Sequence, residues 1–150
     1  MAGVPGGYTV SEVMILNRLE DWVKDARFRG NDQVSLQQQW TRSVQMTKKE
    51  SEARRDFNAY MDAEMPTLET KTRVELTTLF KGARTRGGYR LEWREKKIAP
   101  SGRVIQESTW EGEFDVVLEP PRTILEAQTN RYGLLITSYS WGERVQPGGA

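Results

Sequence analysis

The first part of the chain places apolar residues at the spacing of an amphipathic helix. From Ile15 onward, large apolar side chains recur every three or four positions until Arg29-Gly30 stops the run. The preceding Thr9-Val10-Ser11-Glu12 has the form of a capping box, in which side chains satisfy the free N–H groups of the first turn. The apolar stripe consists of Ile15, Leu19, Trp22, Val23 and Ala26. The pattern predicts a first helix over this segment.

Two further helices are predicted before Pro66. Asn31 or Asp32 is placed to cap the second helix, because both side chains accept hydrogen bonds from backbone N–H groups. Its apolar face consists of Leu36, Trp40 and Val44. Thr47-Lys48-Lys49-Glu50 is another candidate capping box and precedes the third helix. The third stripe consists of Ala53, Phe57, Tyr60 and Met61. The first half of the chain is therefore helical.

From about Lys71 the apolar period changes to two residues, which is typical of strands with one buried face. In the first predicted strand, Val74, Leu76, Thr78 and Phe80 alternate against Glu75, Thr77 and Lys81. A turn over 84–88 leads into a second strand over 89–96, and Pro100-Ser101-Gly102 makes the next turn. These features predict an antiparallel meander.

A long third strand is predicted from Val104 to Leu118, with successive residues on alternate faces of the sheet. One of these two faces is largely acidic and consists of Glu107, Glu111, Glu113, Asp115 and Glu119. Because glycine relieves the steric cost of strong curvature, we expect a bulge or sharp bend at Gly112. A curved sheet could then wrap around the helices.

The strand ends at Pro120-Pro121, and the chain then makes one more helix and one more strand. Thr123 is placed to cap a short helix over 124–127, and alternation resumes over 134–139. The predicted fold class is α+β, with three N-terminal helices against a curved four-stranded antiparallel sheet and a short helix before the last strand. One domain is expected over 9–145, between a glycine-rich lead-in at 1–8 and a flexible tail at 146–150.

The amino-acid composition excludes most of the common catalytic and metal-binding groups. The chain has no histidine and no cysteine, which excludes disulfides, thiol nucleophiles, an imidazole base and the usual zinc ligands. Lys and Arg number 22 against 21 Asp and Glu, so the net charge of +1 gives no sign of binding to a nucleic-acid backbone. We expect no cofactor, no metal and no direct contact with nucleic acid.

Several segments resemble one family of proteins. The tail from Asn130 through Tyr132-Gly133 to Tyr139-Ser140-Trp141 resembles the Asn-Pro-x-Gly, apolar strand and aromatic-Ser-Trp ending of the TrbF-type (VirB-eight-like) family. The upstream segments that resemble its markers are Trp40, Phe57-Asn58-Ala59-Tyr60, Tyr89 to Glu95, Trp110 with Phe114, and Pro120-Pro121-Arg122-Thr123. The principal departure is Arg131, which stands where the family usually has proline. The resemblance covers nearly all of 10–145.

The resemblance implies a role in a type IV secretion or conjugal transfer system. It implies a cone like that of nuclear transport factor 2, and the periplasmic domain of an inner-membrane protein whose single membrane helix is absent from this chain. It also implies a non-catalytic assembly component that forms a dimer or higher homo-oligomer, weak in isolation, and contacts other channel proteins.

Six residues are the candidates for contact with partners or with a second copy. They are Asn130, Gly133, Tyr139, Trp141, Met14 and Leu16. Asn130 and Gly133 either form a contact turn, as the resemblance implies, or only shape the entry into the last strand, since both residue types tolerate left-handed backbone. Met14, Leu16 and Phe28 lie partly off the main stripe of the first helix, which predicts a self-association face there. Trp93, Trp110 and Trp141 are either interface anchors or core residues.

Two charged segments also have a plain structural interpretation. The basic hairpin of Lys81, Arg84, Arg86 and Arg90 could touch DNA or acidic lipid, or could simply be solvated. The acidic face of the third strand could bind a cation or act as an acid and base pair, or could prevent edge-to-edge pairing of sheets. The structural interpretation is preferred for both.

The alternative function is a small-molecule binder or an isomerase-like or dehydratase-like enzyme on the same cone. Such chemistry needs a carboxylate buried in an apolar pocket, where desolvation raises its pKa. Glu95 is the single acid in the predicted inward-facing series of the sheet. The alternative therefore depends on Glu95 lying in an open cavity.

Overall fold

The computed structural model describes residues 10–30, 32–64, 73–76, 81–130 and 132–144. Three helices come first: α1 (Val10–Arg27), α2 (Gln33–Gln45) and α3 (Glu52–Glu64). The strands are β1 (Arg73–Leu76), β2 (Lys81–Arg84), β3 (Tyr89–Ile98), β4 (Val104–Leu118) and β5 (Leu134–Glu143), with α4 (Ile124–Thr129) before the last. The predicted α+β class and order of elements are confirmed. The expected lead-in and tail lie outside the described residues.

The strands form one antiparallel sheet in the order β1-β3-β4-β5, and β2 also pairs with β3. Within the described residues the sheet has five strands rather than the predicted four, because β1 and β2 pair with β3 as two separate strands. Thr78 and Phe80 of the predicted first strand lie outside the described residues. Leu76 is paired with Glu95 and Lys81 with Glu92. Four residues separate the first two positions and two separate their partners, so one continuous ladder cannot contain both strands.

The helices α1 and α3 bury their apolar stripes against one face of this sheet, and α2 packs on both of them. Trp22 and Leu19 of α1, and Phe57 of α3, are at most 1% exposed and pack in one cluster with Trp93 and Phe114 of the sheet. Every residue of the predicted first stripe belongs to this cluster. The helical periodicity was therefore a correct guide to the buried faces, and Trp93 is a core residue.

Two of the predicted helix N-caps are present in the structure, and a third is wrong. Asp32 caps α2 by accepting a hydrogen bond from the Val34 N–H at 3.0 Å, whereas Asn31 lies outside the described residues. Thr123 and Glu126 form a complete capping box at α4. The predicted box at Thr47 is wrong, because α3 begins at Glu52 and its first turn is capped by the Ser51 hydroxyl. The box predicted at Thr9 lies outside the described residues.

Gly112 does not carry the bend that was expected there. The ladder between β4 and β5 shifts register between Asp115 and Val116 instead. A Cβ atom at Gly112 would come within 3.0 Å of the Phe114 ring and 3.2 Å of Trp93. The glycine therefore leaves room for aromatic packing, and the bulge forms three residues further along the strand.

Candidate interaction groove

A groove of about 500 Å³ opens between the α2–α3 connection and the segment that carries α4. The residues that line it are Val44, Gln45, Thr47, Lys48, Lys49, Arg54, Glu119, Pro120, Pro121, Arg122, Leu125, Glu126, Asn130, Gly133 and Leu135. We call this the α4 groove. Two of the six predicted contact residues, Asn130 and Gly133, lie in its lining.

The first wall is fixed by hydrogen bonds to β5 and to α3. Ile136 of β5 donates to the Met46 carbonyl at 2.8 Å and accepts from the Lys48 N–H at 2.9 Å. Arg54 donates to the Val44 and Thr47 carbonyls at 2.9 and 2.7 Å and to the Thr47 hydroxyl at 2.6 Å. Since the Val44 carbonyl lies in the last turn of α2 and the Thr47 carbonyl just beyond it, Arg54 donates to groups at the helix end.

The second wall depends on a close backbone approach at Gly133. The Glu119 N–H donates to the Gly133 carbonyl at 2.8 Å, and Gly133 has a φ of +67°. A Cβ atom at Gly133 would lie 1.9 Å from the Glu119 carbonyl oxygen, so no side chain fits there. The expected structural role in the entry to the last strand therefore applies to Gly133.

Asn130 holds the turn that ends at Gly133. Its side-chain amide donates to the Leu134 carbonyl at 2.6 Å, and its backbone carbonyl accepts from the Gly133 N–H at 3.1 Å. The side chain is 7% exposed, and its Oδ1 is buried with no donor from the described residues. Arg131, where the family usually has proline, lies outside the described residues. Asn130 thus shapes the turn.

The lining of the α4 groove is unevenly charged. Four residues are basic and two are acidic, and Lys48 joins Glu119 across the groove at 2.9 Å. Glu126 is engaged in the capping box of α4. Partial burial lowers the pKa of Arg54, but an arginine remains charged at any ordinary pH. The groove therefore carries an excess of positive charge in a chain whose net charge is only +1.

The other predicted contact residues lie away from the groove. Tyr139 and Trp141 are partly buried, with ring centroids 4.8 Å apart, and both contact Trp22. Met14 is partly buried against the core. Leu16 is 9% exposed and belongs to the core, so the expectation that it lies on a free face of the first helix is corrected. Phe28, just beyond α1, is the exposed apolar residue there, at 38%.

Glu95 is buried, as the enzyme alternative requires, but it is fully engaged. Both of its oxygens accept hydrogen bonds from Arg27 at 2.8 Å, and one also accepts from the Trp93 indole at 2.8 Å. Burial alone would lower the pKa of Arg27, but the hydrogen bonds and charge of Glu95 hold it above its usual value. Glu95 does not line the α4 groove. This geometry is that of a structural ion pair.

The charged faces of the sheet form surface ion pairs. Arg90 contacts Glu111, Arg84 lies 3.0 Å from Glu12, and Glu107 lies 3.5 Å from Lys96. Among the described residues, no group of three or more acidic, histidine or cysteine side chains is placed to hold a metal ion. No helix in the described ranges is long and apolar enough to cross a membrane.

Sequence reasoning missed most of the groove. Lys49, Arg54, Arg122 and Leu125 were not candidates, although Pro120-Pro121 and the Thr123 box were recognised as local features. The two walls are more than 60 residues apart in the chain, and no pattern in the sequence indicates that they meet.

Comparisons with known proteins agree on one family. A family model described as VirB8 protein matches residues 2–144. The structure of VirB8 from Agrobacterium tumefaciens has a TM-score of 0.76 at 17% identity, covering 95% of this chain and 100% of that chain. The soluble domain of TrwG from the type IV secretion machinery of Bartonella grahamii has a TM-score of 0.75 at 14% identity, covering 89% and 95%.

A third structure, the periplasmic domain of DotI, has a TM-score of 0.57 at 11% identity and covers 93% of this chain and 100% of that chain. No curated protein matches the chain. At these identities the structural likenesses show a shared fold.

Proposed function

This chain belongs to the VirB8 protein family of type IV secretion components, and we propose that it acts there as a non-catalytic assembly subunit. It works through self-association and through contacts with other proteins of the channel. The observation that carries this proposal is the α4 groove, where Asn130 and Gly133 are held in a fixed turn beside an exposed Leu125. A rigid concave surface with an apolar rim is suited to binding another protein.

The buried polar chemistry supports assembly over catalysis. Glu95 is joined to Arg27 and Trp93 within the packed core, so its carboxylate is not presented to a substrate. In the α4 groove, the polar side chains of Arg54, Asn130 and Glu126 form hydrogen bonds that hold its walls.

We place this domain on the periplasmic side of the inner membrane, attached there by a membrane helix that is not in this chain. The support for this location is the family membership together with the fold that the chain shares with the periplasmic domain of DotI.

Leu125→Asp in the full-length protein tests the groove. Leu125 is 69% exposed, so the change is expected to leave the domain folded while placing a charge on the contact surface. We expect transfer through the secretion system to fall at least tenfold in cells that lack the wild-type copy. The matched control is Ile105→Asp, at a 53% exposed position outside the groove, which is expected to retain transfer. Equal transfer by both variants would reject the groove as the contact surface.

Self-association is proposed to involve the surface around the end of α1. Phe28 is the exposed apolar residue there, so Phe28→Asp is expected to weaken the homo-oligomer without unfolding the domain. The measurement is sedimentation equilibrium over a range of protein concentrations. Val34→Asp, at a 63% exposed position on α2, is the control. If the association constant of Phe28→Asp equals that of Val34→Asp, this surface does not form the interface.

A further inference from the structure

We propose that the α4 groove binds a peptide segment of a partner protein that is rich in aspartate or glutamate. This inference rests on the proposed function, and it adds the chemistry of the partner. It is carried by the charges that the groove leaves uncompensated and by the size and apolar surface of its lining.

Some charged side chains of the α4 groove have an oppositely charged partner within the protein, and others do not. Lys48 is paired with Glu119. Arg54 is bonded to two carbonyls and a hydroxyl, which are neutral groups. Among the described residues, the side chains of Lys49 and Arg122 have no acidic partner within ion-pair distance. Two cationic side chains of one groove, Lys49 and Arg122, are therefore available to carboxylates, and the charge of Arg54 lies beside them without an acidic partner. Complementary charge favours an acidic occupant.

The remaining groups of the lining fit a peptide. Pro120 and Pro121 have no backbone N–H, so that stretch of wall offers acceptors and apolar surface but no donors. A peptide supplies N–H donors from its backbone to the acceptors of this wall, and its acidic side chains reach the cations at the rim.

The size of the groove agrees with a short segment. Its volume of about 500 Å³ lies within the range of roughly 300–1,000 Å³ typical of built binding sites. The lining also includes the apolar side chains of Val44, Leu125 and Leu135, which can contact one or two apolar side chains placed between the acidic ones. The expected occupant alternates acidic and apolar residues.

Selection from a random twelve-residue peptide library on the 150-residue chain tests the chemistry without knowledge of the partner. We expect the selected peptides to be enriched in Asp and Glu. One selected peptide, synthesised and labelled, is expected to bind the double variant Lys49→Glu/Arg122→Glu at least tenfold more weakly than wild type. The matched control is Lys97→Glu/Arg103→Glu, which makes the same change in net charge at exposed positions outside the groove. It is expected to bind within about twofold of wild type.

Nuclear magnetic resonance locates the bound peptide. We expect the largest shifts at the Asn130 side-chain amide, Leu125 and Lys49. Selected peptides that are neutral or basic, no enrichment at all, equal weakening by both double variants, or shifts centred elsewhere would each overturn the inference. If Leu125→Asp abolishes transfer but the selected peptides are not acidic, the proposed function stands and this inference fails. If acidic peptides bind at the groove but Leu125→Asp leaves transfer unchanged, the failure belongs to the proposed function.

Discussion

Gly133 and Asn130 combine a tight turn with a place in the lining of the α4 groove. The turn needs left-handed backbone at Gly133 and an amide side chain at Asn130 that reaches the Leu134 carbonyl. Both requirements are met while the same residues line the α4 groove. The structural role and the contact role of this pair, posed as alternatives by the sequence, are therefore compatible.

The substitution Gly133→Ala is predicted to destabilise the domain. Left-handed backbone alone costs a non-glycine residue about 1–2 kcal/mol, and the new Cβ atom would also have to displace the Glu119 carbonyl from 1.9 Å. We expect a total loss of more than about 2 kcal/mol in the free energy of unfolding, measured with urea. Gly102→Ala is the control, because Gly102 has a φ of +88° but open space around it. Equal losses in the two variants would show that Glu119 moves aside freely.

The Arg27–Glu95 ion pair connects two elements, since Arg27 ends α1 and Glu95 lies in the middle of β3. The guanidinium also lies over the Trp110 ring at 4.1 Å and near the Trp141 ring at 5.1 Å. Cation–π contacts with desolvated rings contribute up to about 2 kcal/mol. The C-terminal end of α1 is thus attached to three strands through one side chain.

Glu95→Gln is expected to cost about 3–5 kcal/mol in the free energy of unfolding, because it leaves Arg27 buried without its counter-charge. Chemical denaturation of the isolated domain measures the loss. The control is Glu107→Gln, whose carboxylate forms surface pairs with Arg94 and Lys96 and is 46% exposed. Exposed pairs contribute less than about 1 kcal/mol, so that variant should unfold near the wild-type midpoint. A loss at Glu95→Gln no greater than at Glu107→Gln would contradict the assignment.

At the scale of the whole molecule, one aromatic cluster joins the helices to the sheet. Trp22 of α1 contacts Phe57 of α3 at 5.4 Å and Phe114 of β4 at 5.8 Å between ring centroids. Tyr139 lies 5.2 Å from the same indole. Burial raises the pKa of the Tyr139 hydroxyl above its usual value, with a smaller contribution from Asp56.

This shift predicts a loss of stability in alkaline solution. The folded pKa is raised above the unfolded value of 10.0, so the stabilisation is complete below pH 10 and is lost as the pH rises toward the folded pKa. Each such tyrosine lowers the free energy of unfolding by up to about 1.4 kcal/mol per pH unit in that window. Denaturation between pH 9 and 11.5 should show a shallower decline for Tyr139→Phe than for wild type. Parallel slopes would mean that Tyr139 ionises without unfolding.

Most of the architecture could be predicted because it depends on local periodicity. The stripes through Trp22 and Phe57, the position of Trp93 in the core and the Thr123 capping box all follow from the spacing of residues within one element. The expectations that were wrong concern one element meeting another. Leu16 is buried because it packs toward β2, where a Cβ on Gly82 would come within 3.0 Å of it. Thr47 does not cap α3 as predicted, because its segment pairs with Ile136 of β5.

The sequence by itself determined which faces of the helices and strands are apolar, where most elements end, and which chemistries the absence of histidine and cysteine removes. Only the tertiary structure decided that residues near Lys48 and residues near Arg122 form two walls of one groove, and that Glu95 is engaged by Arg27. The physical reason is that spacing along the chain specifies local geometry, whereas a groove or a buried ion pair depends on how distant segments pack. The α4 groove could be recognised only after the sheet had brought its walls together.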